Sequence, residues 1–66
     1  MHLIVNGQQR QVEDDISLTE LVNQVSDRDT GIAVAVNNEV VPRSGWPAMP
    51  LDDGDRIDVV TAVQGG

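Results

Sequence analysis

The residues of this chain most suggestive of chemistry are its last ones, Gln64-Gly65-Gly66. Glycine averages about 7% of residues, so a terminal pair arises by chance roughly 0.5% of the time. A carboxylate carried on two residues without a Cβ is slim and extended. It can thread a narrow channel in another enzyme and lie beside ATP, where bulkier side chains would clash. The plainer reading of such an end is fraying, which is common at domain termini. What separates the two is the element that presents the tail.

Other candidate groups are weaker. His2 is the single histidine, and it sits at what the sequence suggests is a mobile terminus. A general acid or base needs an oriented partner and a site, and neither is visible. Ser17 has no base or elbow around it and is better explained as a helix cap. Asp52, Asp53 and Asp55 gather around Gly54, a pattern that raises calcium. The twelve-residue calcium loop and its closing glutamate are missing, so a solvated turn is expected instead. No catalytic residue and no metal ligand are assigned.

Composition narrows the classes further. Sixty-six residues make one domain at most. Such a domain buries only about 60% of its unfolded surface and has little room for an internal substrate pocket of roughly 300 Å³. There is no cysteine, which removes disulfides, thiolate metal sites, thiol nucleophiles and persulfides. Net charge is −7, with four cations, all arginine and all isolated, among eleven carboxylates. Nucleic acid and anionic membrane both need clustered cations, so neither is an expected partner. A basic protein surface is the natural complement, although the same charge also serves solubility. Met1 to Val5 is too short and lacks the basic lead of a signal segment. No run is long enough to span a bilayer, so a cytoplasmic location is expected.

The elements that must position the tail follow from pattern. Leu3 to Val5 reads as a strand. Asn6-Gly7 is a strong signal for a type I′ hairpin, and the return strand is expected at 9–13, with Val12 as its apolar anchor. Ser17-Leu18-Thr19-Glu20 has the form of a capping box. Leu18, Leu21, Val22 and Val25 then form one helical stripe, with the helix ending near 26–28 and Gly31 marking the exit. Residues 32–36 alternate large and small with period two, a strand whose second face holds only Ala33 and Ala35. Asn37-Asn38 reads as a tight turn into a short return strand, 39–41. Residues 42–50 hold all three prolines and read as a surface loop, with Trp46 capping one end of the core. After a turn at Gly54, residues 56–63 form the last and most apolar strand, placed centrally beside the first, with Ile57 and Val59 toward the helix. The expected class is α+β: a mixed sheet with one main helix packed on one face. Ubiquitin-like β-grasp folds have this order of elements. The division expected is a β-grasp domain over 1–63 and a flexible Gly-Gly tail over 64–66.

Three segments carry a closer resemblance. They are Val36-Asn37-Asn38-Glu39-Val40-Val41-Pro42-Arg43-Ser44 with Trp46, Leu51-Asp52-Asp53-Gly54-Asp55-Arg56-Ile57, and Val60 through Ala62-Val63 to Gly65-Gly66. Together they resemble the ThiS family of sulfur carriers in thiamine biosynthesis, along the whole chain. The Pro42-Arg43-Ser44-x-Trp46 stretch is the more specific to that branch. The terminal glycines alone would be shared with the molybdopterin-synthase small subunit and with ubiquitin-like modifiers. A non-covalent β-grasp interaction module would need no free Gly-Gly end.

The resemblance implies a mechanism. An adenylating, E1-like enzyme would activate the Gly66 carboxylate with ATP. A cysteine desulfurase or its relay would supply sulfur to give a Gly66 thiocarboxylate, and thiazole synthase would take that sulfur. The protein is then a co-substrate, with catalysis in its partners and no bound cofactor. Lack of cysteine fits, because the terminal carboxyl is the one covalent handle such a carrier has. Gln64 and Gly65 would present Gly66. Alternation places Ile4, Val60 and Ala62 on the face away from the helix, with Ala33 and Ala35 completing a shallow apolar patch suited to docking.

Overall fold

The computed structural model describes residues 1–26 and 31–61. Five strands form one sheet: β1 (His2–Val5), β2 (Gln8–Gln11), β3 (Ile32–Val36), β4 (Glu39–Val41) and β5 (Arg56–Thr61). One helix, α1 (Leu18–Val25), and a 3-10 helix, Arg43–Ala48, complete the fold. The strand order is β2-β1-β5-β3-β4. β5 is central, parallel to β1 and antiparallel to β3, while both hairpins are antiparallel. A helix on one face of this mixed sheet is the β-grasp arrangement expected from the pattern together with the resemblance.

Local chemistry explains the elements. Asn6 and Gly7 both adopt positive φ, 52° and 82°, as a type I′ turn requires. Asn37 and Asn38 do the same in the second hairpin. Ser17 Oγ accepts from the Glu20 N–H at 3.1 Å, and the Ser17 N–H donates back to Glu20 Oε1 at 3.3 Å. The capping box therefore fixes where α1 begins. Ile16, just before the cap, and Leu21 are both buried, at the positions that pair as a hydrophobic staple. The core gathers Leu3, Val5, Ile16, Leu18, Leu21, Val22, Val34, Val36, Trp46 and Ile57. Val59 and Val25 pack against it from the edge.

Three expectations change. β2 spans 8–11 rather than 9–13, because the two-residue turn pairs Gln8 directly with Val5. His2 is not a loose end: it pairs with Gln11, and its N–H donates to Asp53 Oδ1 at 2.6 Å. The stretch 43–48 is a 3-10 helix rather than a loop. Proline's fixed φ suits that conformation, and Pro42 (φ −60°) stands at its N-cap. Trp46, only 4% exposed, pins it inward and donates its indole N–H to the Val41 carbonyl at 2.9 Å. The Arg43 guanidinium lies 5.6 Å from the indole centroid, within cation–π range. The expected strand residues 62 and 63, and the tail 64–66, lie outside the described residues.

Candidate functional site

Register sorts the sheet into two faces. Ile57, Val34, Val36, Leu3 and Val5 lie under α1. The alternate residues lie on the opposite face: His2 and Ile4 on β1, Arg56, Asp58 and Val60 on β5, Ala33 and Ala35 on β3, Val40 on β4. Val60 sits directly across from Ala33, and Ala35 lies between Asp58 and Val40. Two large apolar side chains among the described residues are strongly exposed, Val60 at 57% and Val40 at 70%. Both are on this open face. Ile4 is half-buried and Ala33 exposed. Ile4, Ala33, Ala35 and Val60 thus share this face, but the register sets Ile4 beside Arg56, four residues along β5 from the Val60–Ala33 pair, with Asp58 between them. Ala62, Gln64, Gly65 and Gly66 lie outside the described residues.

Two features of the face were missed by sequence reasoning. One is Val40; the two-residue Asn37-Asn38 turn fixes Val40 opposite Ala35, so that signal was available. The other is the pair formed by Arg56 Nε and Asp58 Oδ2, 3.9 Å apart. It places one charge of each sign within the apolar surface. Being exposed, the pair adds little to stability and offers a partner two orienting groups.

β5, which leads into the tail, is held with unusual care. Asn6 donates its N–H to the Ile57 carbonyl at 2.9 Å and accepts the Val59 N–H on Oδ1 at 2.8 Å. Its side chain thereby continues the ladder where β1 has already turned away. At the other end, Asn37 donates its N–H to the Arg56 carbonyl at 2.7 Å and accepts the Arg56 N–H at 3.0 Å. Its Nδ2 donates to Asp55 Oδ1 at 3.1 Å. Asp55 Oδ2 also accepts the Asp52 N–H at 2.8 Å. Asp55 therefore binds the turn's own backbone and the Asn37 side chain, while Asp53 ties the turn to the start of β1. Ser17 is likewise committed to its cap. Asp14 accepts from the Met1 ammonium at 2.7 Å, and that hydrogen bond and positive charge hold its carboxyl below the usual carboxylate value.

No helix among the described residues is long and apolar enough to cross a membrane. The ThiS family model matches residues 3–66. The chain belongs to the ThiS family. It is 33% identical over 66 residues to the sulfur carrier protein ThiS of Escherichia coli (strain K12), covering all of both chains. It is 29% identical over its whole length to a thiazole synthase of Paramagnetospirillum magneticum, where it corresponds to 20% of that protein. The crystal structure of the thiamine biosynthesis protein ThiS from Geobacter metallireducens superposes with a TM-score of 0.85 at 29% identity, each chain covered in full. Membership of the ThiS family makes the chain a sulfur carrier of thiamine biosynthesis, a small carrier protein on a β-grasp fold.

Proposed function

We propose that sulfur is carried on the carboxyl group of Gly66. An E1-like adenylating enzyme positions the carboxylate against ATP. The carboxylate oxygen attacks the α-phosphate, and pyrophosphate leaves. A persulfide, supplied by a cysteine desulfurase or its relay, then forms a C–S bond at the acyl carbon as the bond to AMP breaks, and a thiol reductant cleaves the S–S bond of the resulting acyl disulfide to leave the Gly66 thiocarboxylate. Thiazole synthase consumes the resulting thiocarboxylate. The carrier supplies no catalytic group and binds no cofactor of its own, and its work is cytoplasmic, where ATP and reducing conditions coexist.

The observation that carries this reading is the end-to-end correspondence with the Escherichia coli carrier, which runs through the Gly65-Gly66 pair. The thiazole synthase containing a segment like this chain supports that enzyme as acceptor. The open face of Ile4, Val60, Ala33 and Ala35, extended by Val40, is the docking surface. Gln64 and Gly65 then span the distance to a partner's active site.

Intact mass after incubation with ATP, the adenylating partner and a sulfur source is the direct test. The expected result is exchange of one oxygen for sulfur, absent when Gly66 is deleted. An unchanged mass beside a demonstrably active partner overturns the assignment. Consumption of the product by thiazole synthase, rather than by a molybdopterin-synthase large subunit, places it in the thiazole branch.

A further inference from the structure

The open face of the sheet is nearly free of charge in a strongly acidic chain. Across β1 and β2 it holds His2 and Ile4 with Gln11 and Gln9 opposite them. With His2 neutral, Arg56 and Asp58 are the only charged residues among its strand positions. The surplus of carboxylates that makes the net charge −7 lies elsewhere. Apart from Asp58, the described ones occupy the connections, α1 and the first residue of β4, where Glu39 stands opposite the inward Val36. β5 is the central strand, so the two charges stand at the middle of the face. Along β5 the order toward the tail is cation, anion, then the exposed Val60.

The pair is loose. Arg56 Nε and Asp58 Oδ2 are 3.9 Å apart, on side chains 59% and 36% exposed. That is an ion-pair distance and not a hydrogen bond. Among the described residues neither side chain has another polar partner, so the guanidinium donors and the carboxylate lone pairs stay open to an incoming surface. The main chain beneath them is fixed, because Asn37 binds both the N–H and the carbonyl of Arg56. A partner that covers the sheet takes both charges out of water, and a contact of 3.9 Å does not repay that cost. Opposite charges on the partner do. They also supply what the rest of the face lacks, which is direction. Small and apolar side chains accept a partner in more than one orientation, whereas docking must send the tail one way. A partner turned by half a rotation in the plane of the sheet would set like charge against like.

We infer that Arg56 and Asp58 set the orientation of docking, and that the partner they fit presents a carboxylate to Arg56, a cation to Asp58 and an apolar side chain to Val60, in that order toward the tail. Successive positions on one side of a strand are about 6.6 Å apart, which is the spacing the partner's groups must match. The inference rests on the open face being the docking surface for the activating enzyme, and it gives that surface a direction.

The test exchanges the two charges, Arg56→Asp together with Asp58→Arg, which keeps both the net charge and an ion pair on the strand. Affinity of the full chain for the adenylating enzyme is measured by titration, and the adenylation rate at saturating carrier is measured separately. The exchanged chain should bind about tenfold more weakly or worse, and the loss should fall on affinity rather than on the saturated rate. A neutral version, Arg56→Gln with Asp58→Asn, loses the attraction without gaining the repulsion and should lie between the exchanged chain and the parent. These differences should shrink as salt rises. Unchanged affinity of the exchanged chain, an equal loss in the neutral and exchanged chains, or a loss confined to the saturated rate would each overturn the inference. Should the exchanged chain fail to fold, the neutral version makes the test across salt, and a deficit that salt does not alter would count against the charges. Val60→Asp separates this inference from the docking reading beneath it. Weakened binding of that variant beside an unaffected exchanged chain leaves docking in place and removes the charge assignment. Full binding by both removes the docking surface itself.

Discussion

On β5, Ile57 is fully buried against the helix layer while Val60, on the opposite side of the same strand, is 57% exposed. The contrast extends across the sheet: Leu3, Val5, Val34 and Val36 are sealed beneath α1, whereas the alternate positions hold small or exposed residues. Folding accounts for the first face. Each buried aliphatic side chain contributes about 1.5–3 kcal/mol, and a domain this small has few of them. Folding does not account for the second. An exposed valine contributes little to stability, and single exposed apolar residues are ordinary. Here the two strongly exposed ones among the described residues share one face with Ile4 and two alanines, the face proposed above for docking.

Substitutions can break this contrast or sharpen it. Ile57→Ala should have the largest effect, about 2–5 kcal/mol lost in urea unfolding, enough to consume much of a small domain's stability. Whatever fraction stays folded should be adenylated normally; reduced turnover per folded molecule would mean that the helix side also touches the partner. Ser17→Ala removes the helix cap and should cost about 1 kcal/mol in the same assay, again without altering turnover of the folded chain. Val60→Asp should reverse the pattern. Its unfolding free energy should stay within about 0.5 kcal/mol of the parent. Its adenylation at limiting carrier should fall about fivefold or more if Val60 is central to the interface. Unchanged turnover would refute the docking role of this face.

The smallest effect concerns acid. The Asp14 carboxyl titrates below its ordinary value because of the Met1 ammonium. Its contribution to stability is therefore complete above the ordinary carboxylate pKa and is lost as pH falls through the lowered folded value. Asp14→Asn should be slightly less stable than the parent at neutral pH and match it in strong acid. A difference that persists at low pH would assign the effect to something other than this ion pair.

Much of this arrangement was legible in the sequence because it depends on short-range rules. The positive-φ demand of Asn6-Gly7, the box at Ser17 and Glu20, and the period-two run of β3 each declare themselves within a few residues. The pairing of the first and last strands also followed, from the apolar content of β5. What stayed hidden depended on distant partners. Trp46 finds its core site among residues far along the chain, and the proline-rich run around it gave no periodic signal for the 3-10 helix at 43–48. Nor does anything local say that Asn6 will accept a bond from Val59, 53 positions along the chain. Ile16 could have been read as a staple residue from its place before the cap. The Arg56–Asp58 pair could have been read from its spacing on one strand, but its meaning depends on which face is open. For the site proposed at Gly66, the residues themselves and the family resemblance were the whole signal.

The central place of β5 has a consequence for how the protein is made. The strand that joins the two hairpins emerges from the ribosome after every other element of the sheet. Until then β1 and β3 have no common neighbour, and the helix has only part of a floor. Pairing of such distant segments is slow to establish, and it cannot begin during most of synthesis. The sheet therefore closes only when nearly the whole chain is free. A chain cut short before β5 would lack Ile57 and the strand that joins the two hairpins, so it should not hold a completed core.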